Sequence, residues 1–430
     1  MNGSAAWFGH RGSDTVMMTS LDPVSISGAF LYGSAQGTRA SSPWSRCLEA
    51  STGRESVSSD DLESRTLDLI RDGLFSTRRR PSRVVPFRST HRLERWASIN
   101  GVLVESAPAA LVTDVADRRF LTEYASKRGV KVPETVQVST RMGYADLRAE
   151  MGSEFIVKGV RGVSGRDCYL VGGEADLAAV RAATGGSKEL YAWRIVEGRS
   201  YNYHFCVGNS WTTVFEPTMQ RLAPADRLRP YCFAGNTYKS SDGAPAELSG
   251  ARREIHALAR VLRDVGFRGV AGADVVVSGH EQYIVDLNPR FQGSSLILDL
   301  NLAASSMPRL VDQHVMAVSG GELHREVTSP LGSPQAVGGQ VFVFVKQDGA
   351  SEARGYLNGV YSRGGGGLRY EGKYRVGEEL SDGCVLVLDM PTHPLQIAPG
   401  AVFARVIHAP GATSTEITNA VRCISERRFL

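Results

Sequence analysis

The sequence predicts an α/β (α+β) protein of several domains, and three observations carry that class. Through roughly the first 330 residues, short apolar runs of strand type alternate with segments whose apolar residues recur at helical spacing. Two of those segments are long stripes with recognisable start and stop signals. Past residue 335 the pattern changes to short β-type runs separated by glycine-rich turns. At about 150 residues per domain, the 430-residue length allows two to four domains, and a 42% hydrophobic content can fill their cores.

In chain order, "DTVMMTSL", "ISGAFLYG", "LESRTLDLIRDGLF", "SRVVPF" and "LERWASINGVLV" predict an open α/β unit with a parallel sheet over residues 1–112. The basic run "STRRRPSR" reads as a solvated loop, and no G-x-G-x-x-G follows a strand. "TDVADRRFLTEYASKRGVKVPET" reads as one helix, with Thr113 and Asp114 as N-caps, Phe120, Leu121, Tyr124 and Ala125 on one face, and Gly129 and Pro133 beyond its end. "EFIVKGVRGVSGRDCYLVG" reads as strand, glycine-rich turn, strand, and "ELYAWRIVEGRSYNYHFCVG" as strand, loop, strand. The pattern is weak over residues 209–247, where Arg221, Arg227 and Arg229 read as solvated loop residues. The second helix is "ELSGARREIHALARVLRDVGFRG", with Ile255, Leu258, Ala259, Leu262 and Val265 on its stripe and Gly266 closing it. Residues 335–430 form a β-rich module ending in a helix over "STEITNAVRCISERRF". Its "RGGGGLRY" lacks the Lys-Ser/Thr ending of a phosphate loop and reads as a turn.

Charge and cysteine usage exclude several classes. Lys plus Arg number 49 against 45 Asp plus Glu, so a net charge of +4 argues for no nucleic-acid and no membrane partner. The six cysteines show no C-x-x-C pair, which speaks against a zinc site or a disulfide framework and for a cytoplasmic setting. The N-terminus has no apolar core of a signal peptide, and no segment approaches the length of a membrane span. The nine histidines are given no collective role, with His280 read in a turn and His204 in a strand.

Chemistry concentrates in "GADVVVSGHEQYIVDLNPRFQGSS". Pairing "ADVVV" with "YIVDLN" about the short "SGHEQ" loop puts Asp274 opposite Asp286, Val275 opposite Val285 and Val276 opposite Ile284. With faces alternating, Asp286, Asn288 and Arg290 share the face of Asp274, and Val285 and Leu287 point to the core. Opposed carboxylates repel and are costly to bury, so a cation is expected: oxygen ligands suit Mg²⁺, which takes one or two carboxylates plus substrate phosphates. A hairpin neutralised by Arg290 alone is the other reading. In "VKGVRGVSG", Lys158 ends a strand and Gly159, Gly162 and Gly165 let backbone N–H groups approach an anion. "AWRIVEG" is an apolar strand whose end can face an adenine ring.

The order of these parts, from the helix with its leading basic residue through strand-Lys-Gly-loop and the apolar linker before Glu-Gly to D-x-N-P-R-x-x-G-S, resembles the ATP-grasp superfamily over residues 100–305. The resemblance implies an ATP-grasp fold with a lid subdomain at 113–198 and a large subdomain at 199–334, between the N-terminal α/β domain and the C-terminal β-rich module. It implies ATP and Mg²⁺ as cofactors, with Mn²⁺ able to substitute. Asp274, Asp286 and Asn288 would hold the metal. Lys158 would meet the α- and β-phosphates, and the loop Gly159, Gly162, Ser164, Gly165 would close over them. Arg194, Ile195 and Val196 would form the adenine hinge, and Arg118 would stand where many members have a phosphate-contacting lysine. Ser200 and Asn202, with Glu197, are the candidates for the ribose, and Arg290 with Ser294 and Ser295 would hold the carboxylate or acyl phosphate. Two departures stand out: aspartate 286 where many members have glutamate, and arginine for lysine at 118. The implied reaction is amide formation between small-molecule carboxylate and amine substrates, amino acids or short peptides, through an acyl phosphate. The tail resembles peptide ligases of natural-product pathways, and a homodimer is the expected assembly. The alternatives are a carboxylase-type or purine-pathway ligase, a kinase, or a non-catalytic ATP-binding regulator.

Overall fold

The computed structural model describes residues 15–18, 31–33, 83–139, 141–160, 167–185, 189–224, 226–238, 246–305, 307–323, 336–344, 351–353, 358–364, 366–372, 374, 378–388, 390, 395–397 and 402–427. The segment "LESRTLDLIRDGLF", most of the "STRRRPSR" run and the loop positions Gly162, Ser164 and Gly165 lie outside the described residues.

Near the N-terminus, β1 (Thr15–Met18), β2 (Leu31–Gly33), β3 (Arg83–Val85) and β4 (Leu103–Val104) form a sheet of order β2-β1-β3-β4. The β1–β3 and β3–β4 pairs are parallel, as expected, and β1–β2 is antiparallel. Helix α1 (His91–Asn100) crosses between β3 and β4. Thr90 Oγ1 accepts from Leu93 N at its start, and Gly101 takes the left-handed conformation (φ 65°) that ends it.

The helix expected from residue 113 is broken into pieces. Helix α2 (Ala109–Val115) already contains Thr113 and Asp114. The chain then restarts at Asp117, whose carboxylate accepts from the Arg119 backbone N–H at 2.9 Å, and continues as a π-helical turn, Phe120–Ala125, and a 3₁₀ turn, Ser126–Arg128. Asp114 and Asp117 are both of N-cap type and stand three positions apart, so sequence alone placed the cap three residues early. The apolar face holds: Leu121 and Ala125 are buried.

A small antiparallel sheet follows, of order β5-β8-β6-β7 from β5 (Thr135–Val138), β6 (Phe155–Gly159), β7 (Cys168–Val171) and β8 (Leu190–Arg194). Helices α3 (Tyr144–Met151) and α4 (Glu174–Ala183) cover its outer face through Leu147, Met151, Leu177 and Val180.

The large sheet runs β14-β13-β9-β11-β12-β15-β21-β19-β17-β18, with β10 paired to β9. Its strands are β9 (Arg199–Val207), β10 (Thr212–Val214), β11 (Thr218–Ala223), β12 (Cys232–Thr237), β13 (Gly269–Ser278), β14 (Glu281–Asn288), β15 (Gly339–Phe344), β17 (Gly359–Gly364), β18 (Gly367–Gly372), β19 (Cys384–Leu388) and β21 (Val402–His408). Outside it, β16 (Ser351–Ala353) and β20 (Leu395–Ile397) make a separate ribbon. The strand period of two sorts β9 cleanly. Tyr201, Tyr203, Phe205 and Val207 pack with Ile255, Leu258, Ala259 and Leu262 of α5 (Ala246–Asp264). On the opposite face Cys206 meets α6 (Ser295–Ala304) and α7 (Leu310–Val318) through Leu296, Ile297, Leu310 and Val311. Helix α8 (Ser414–Ser425) closes the chain on a capping box of Thr413 and Glu416.

Two expectations change here. Residues 209–247 contain β10, β11 and β12, whose apolar residues are interrupted by prolines and by a bulge between Arg221 and Leu222. The β-rich C-terminal strands are continuous with the large sheet, because β15 pairs with β12 from Gly235↔Val341 to Thr237↔Gly339. Backbone pairing between segments a hundred residues apart leaves no mark in local sequence.

Candidate active site

Between the small sheet and the large one lies a cavity of about 260 Å³. Strands β6 and β8 supply one wall, β9, β13 and β14 the other, and Phe87 and Phe342 reach in from the N- and C-terminal segments. Of the residues singled out from sequence, Arg118, Lys158, Arg194, Ile195, Val196, Ser200, Asn202, Asp274, Asp286, Asn288, Arg290 and Ser294 all line it.

The hairpin carries the acidic wall. Asp274 pairs with Asp286 and Gly272 with Asn288, as expected. A bulge then shifts the register, so Val275 pairs with Ile284 and Val276 with Tyr283. Val285 is the extra residue: it lines the cavity, while Ile284 takes the fully buried core position. The bulge re-aims the strand beside the site, and the Val285 carbonyl accepts from Lys158 Nζ at 3.1 Å. A two-residue turn, Gly279–His280, closes the hairpin, with Gly279 left-handed at φ 59°.

Asp274 keeps part of its surface on the cavity but is otherwise walled in. Burial, then the facing Asp286, raise its pKa to about 6, against the hydrogen bond from Asn202. Asn202 is central to what holds this carboxylate. Its Nδ2 donates to Asp274 Oδ1 at 2.7 Å and also to Gln292 Oε1, and its Oδ1 accepts from Ser294 Oγ at 2.7 Å. Behind it, His204 Nε2 lies 3.0 Å from Ser295 Oγ and 3.5 Å from Ser294 Oγ, and Ser295 Oγ accepts from Gln292 N at 2.8 Å. Burial drops the His204 pKa to about 3, so this histidine is neutral. Ser295, at the first turn of α6, is spent on this network and is not on the cavity wall, unlike the role expected of it.

Lys158 is buried, with Nζ 4.4 Å from the Trp193 ring centroid. Burial lowers its pKa. Arg118, also buried, donates through Nη1 to the Gly159 carbonyl, and its Nε stands 3.9 Å from Asp286 Oδ1. Arg194 turns its guanidinium outward to Glu134 (2.8 Å), and its backbone N–H donates to Glu134 O, so the strand end is anchored there. Ile195 and Val196 continue past it along the cavity. Glu197 is exposed and off the wall, whereas Ser200 lines it and donates to Gln220 Oε1. Arg290 donates through Nη1 to the Phe291 carbonyl at 3.0 Å and lies over the Phe87 ring.

Sequence reasoning missed Gln220, Leu222, Phe233, Phe342, Phe87 and Gln292 among the lining residues. Of these, Gln292 alone stood inside the stretch singled out for its chemistry. Its signal was Gly272: a Cβ there would collide with the Gln292 amide, which lies across that glycine. Of the loop arginines, Arg227 pairs with Asp176 and Arg229 with Asp226, so neither faces the site.

Residues 115–294 match the model of the ATP-grasp domain. These 180 of the 430 residues are an ATP-grasp domain by that match. The chain is 24% identical over 269 residues to a formate-dependent phosphoribosylglycinamide formyltransferase from Burkholderia pseudomallei (strain 1106a), a match spanning 60% of this chain and 65% of that protein. The same fold occurs in the biotin carboxylase domain of Hydrogenobacter thermophilus 2-oxoglutarate carboxylase, solved as a dimer with MgADP, ADP and bicarbonate (TM-score 0.57, 11% identity, 83% of this chain and 75% of that one). It also occurs in the carboxyaminoimidazole ribonucleotide synthase of Aspergillus clavatus, solved with ATP (TM-score 0.53, 11% identity, 83% and 85% of the two chains).

The residues present suit a magnesium nucleotide. Arg118 Nε and Gln292 Nε2 are buried donors with no hydrogen-bond partner, Arg118 Nε standing 3.9 Å from Asp286 Oδ1, and both belong to cavity-lining side chains. Buried donors without partners are costly unless an anion meets them. Among the described residues no cluster of three or more His, Cys, Asp or Glu side chains forms. Asp274, Asp286 and Asn288 alone are too few for an all-protein cage, which matches Mg²⁺ that shares its oxygens with phosphates.

Proposed function

We propose that this protein is an ATP-dependent ligase that joins a carboxylate to an amine, on amino acids or short peptides, releasing ADP and phosphate. The observation that carries the reading is the facing pair Asp274 and Asp286 on one wall, with Lys158, Arg118 and Gln292, whose Nε2 has no hydrogen-bond partner, lining the same cavity. Acid on one side and donors on the other orient a polyphosphate from both ends.

Asp274, Asp286 and Asn288 would hold Mg²⁺, which would neutralise charge on the phosphate oxygens. Lys158 and Arg118 contact the phosphates; an anion beside Lys158 opposes the burial that lowers its pKa. Ile195 and Val196 meet adenine through their backbone, and Ser200 with Gln220 is the pair available to the ribose. Arg290 holds the substrate carboxylate in line with the γ-phosphate. A carboxylate oxygen bonds to that phosphorus as the bond to the ADP oxygen breaks, giving an acyl phosphate. The amine nitrogen then bonds to the acyl carbon, phosphate leaves with the bonding pair, and the amine proton passes to solvent. No side-chain nucleophile is needed, and neutral His204 serves to fix Ser294 and Ser295. A cytoplasmic homodimer completes the reading.

A second reading draws on the sequence match to the formyltransferase: a small carboxylate joined to a ribonucleotide amine. One experiment separates the two. The protein is incubated with ATP, Mg²⁺ and paired carboxylate and amine donors, with ADP followed by a coupled assay and product by mass spectrometry. ADP release that requires both an amino-acid carboxylate and an amine supports the ligase. A phosphorylated product from a single substrate indicates a kinase, release only with a ribonucleotide amine favours the second reading, and tight ATP binding with no turnover indicates a regulator.

A further inference from the structure

We infer that Trp193 is a positioning residue for the nucleotide: the face of its indole holds the Lys158 ammonium in the cavity and leaves the ammonium N–H groups to the phosphates. This rests on the nucleotide part of the ligase reading. Lys158 Nζ lies 4.4 Å from the Trp193 ring centroid, and both side chains line the cavity. Their meeting follows from register. Lys158 pairs with Tyr191 across β6 and β8, and Ile156 with Trp193, so Trp193 is the diagonal neighbour of Lys158 on one face of the small sheet.

The other neighbours on that face supply no negative charge. Cys168 stands opposite Lys158 on β7, and Tyr191 on β8. Burial pushes the Cys168 thiol and the Tyr191 phenol above their ordinary pKa values, so both are neutral. Asp274 and Asp286 line the same cavity, yet among the described residues Lys158 forms no ion pair with either; its hydrogen bond goes to the Val285 carbonyl at 3.1 Å. The ring is the group that stands against the buried charge, and a cation is attracted to an indole face most strongly where water is excluded.

A ring suits this position better than a carboxylate would. A carboxylate in contact would take the N–H donors that a phosphate oxygen needs and would have to be displaced. The indole attracts the ammonium through its quadrupole and competes for no oxygen ligand of the metal. It also restrains the flexible four-carbon stem of the lysine from swinging to Asp286. The indole is not held there by its own N–H: a buried tryptophan usually finds an acceptor, whereas Trp193, 2% exposed, has no hydrogen-bond partner at Nε1.

Calorimetric titration with MgADP reads the effect without turnover, since ADP carries the phosphates assigned to Lys158. Trp193→Leu should weaken MgADP binding by about tenfold, because the unsupported lysine must then be ordered as the ligand binds. Trp193→Phe, which keeps a ring, should lose no more than about threefold. In a Lys158→Met background, Trp193→Leu should change the affinity less than about twofold. Wild-type affinity in a folded Trp193→Leu, equal losses with Leu and Phe, or the same loss with and without Lys158 would make Trp193 a packing residue and overturn the proposal. Should Trp193→Leu fail to fold, fluorinated tryptophan placed at position 193 by nonsense suppression decides, because fluorine drains charge from the ring face while keeping its shape. Affinity that falls with each added fluorine supports the positioning role, and constant affinity overturns it. Absence of ADP release with every donor pair removes the ligase reading and leaves the positioning role to calorimetry; wild-type protein that binds no MgADP overturns both.

Discussion

Replacing Asn202 by alanine removes the donor 2.7 Å from Asp274 Oδ1 and leaves that carboxylate facing Asp286. Hydrogen bonds to a charged group are worth about 1.5–3 kcal/mol, or about one to two pH units at 1.36 kcal/mol per unit. The part of Asp274 that opens on the cavity keeps the effect at the lower end. In the metal-free protein Asp274 titrates at about 6, raised from 3.8 by burial and then by Asp286. A divalent cation must displace that proton. Wild-type affinity for Mn²⁺ in the presence of ADP should therefore climb about tenfold per pH unit up to pH 6 and level off above it. In Asn202→Ala the plateau should begin about one unit higher. The stability sign runs the other way. A carboxyl whose folded pKa is raised binds its proton more tightly when folded, so its contribution is complete below about pH 4 and is lost as pH rises through 6. The Tm of metal-free protein should fall over that interval, and saturating Mg²⁺ with ADP should abolish the fall. Mn²⁺ titrations by electron paramagnetic resonance from pH 5 to 8 read the midpoint directly. An identical midpoint in wild type and a folded Asn202→Ala refutes the role assigned to this amide.

Three more outcomes follow from the same geometry. Lys158→Met should weaken ATP binding by calorimetry at least about tenfold, the worth of one charged hydrogen bond, while leaving Tm unchanged or higher because burial disfavours the ammonium when no anion is bound. Gly272→Ala should displace the Gln292 amide, lowering kcat/KM by about tenfold with the circular dichroism spectrum intact; unchanged kinetics would show that Gln292 plays no part. Arg309→Leu strands Asp299, which is fully buried and whose carboxylate accepts from Arg309 Nε at 2.8 Å and from Leu310 N at 2.9 Å. Breaking such a pair costs about 3–5 kcal/mol, so the denaturation midpoint should drop; burial already holds Asp299 near a pKa of about 7, and the loss should therefore be smaller at pH 5 than at pH 8.

Much of the polar wall was legible because its determinants are local. Asp274 and Asp286 lie on the two strands of one hairpin that the spacing shows, although the two-residue turn alone would set Asp274 opposite Val285 and the bulge is what brings Asp286 there. The stripe of α5 matches Ile255, Leu258, Ala259 and Leu262. The limits were local too: a single bulge at Val285 exchanged a core position for a cavity one, and the helix expected from Thr113 restarts at Asp117. Asn202 shows where spacing stops being enough. Its strand face follows from the sequence, but its commitment to Asp274, Gln292 and Ser294 needed β9 to lie against β13 and α6 to begin beneath both.

By itself, then, the sequence determined the acidic hairpin and the strand that carries Lys158, both set by periodicity and short-range turns, and the order of its motifs carried the resemblance to the ATP-grasp superfamily. Tertiary structure alone decided the aromatic lining of the cavity. Phe87, Phe233 and Phe342 are far apart in the chain and carry no polar pattern, and they line one cavity only when β12 pairs with β15 and the Phe87 carbonyl accepts from Phe291 N. Apolar contact is non-directional and leaves no spacing to read, which is why these rings are the part of the site the sequence left silent.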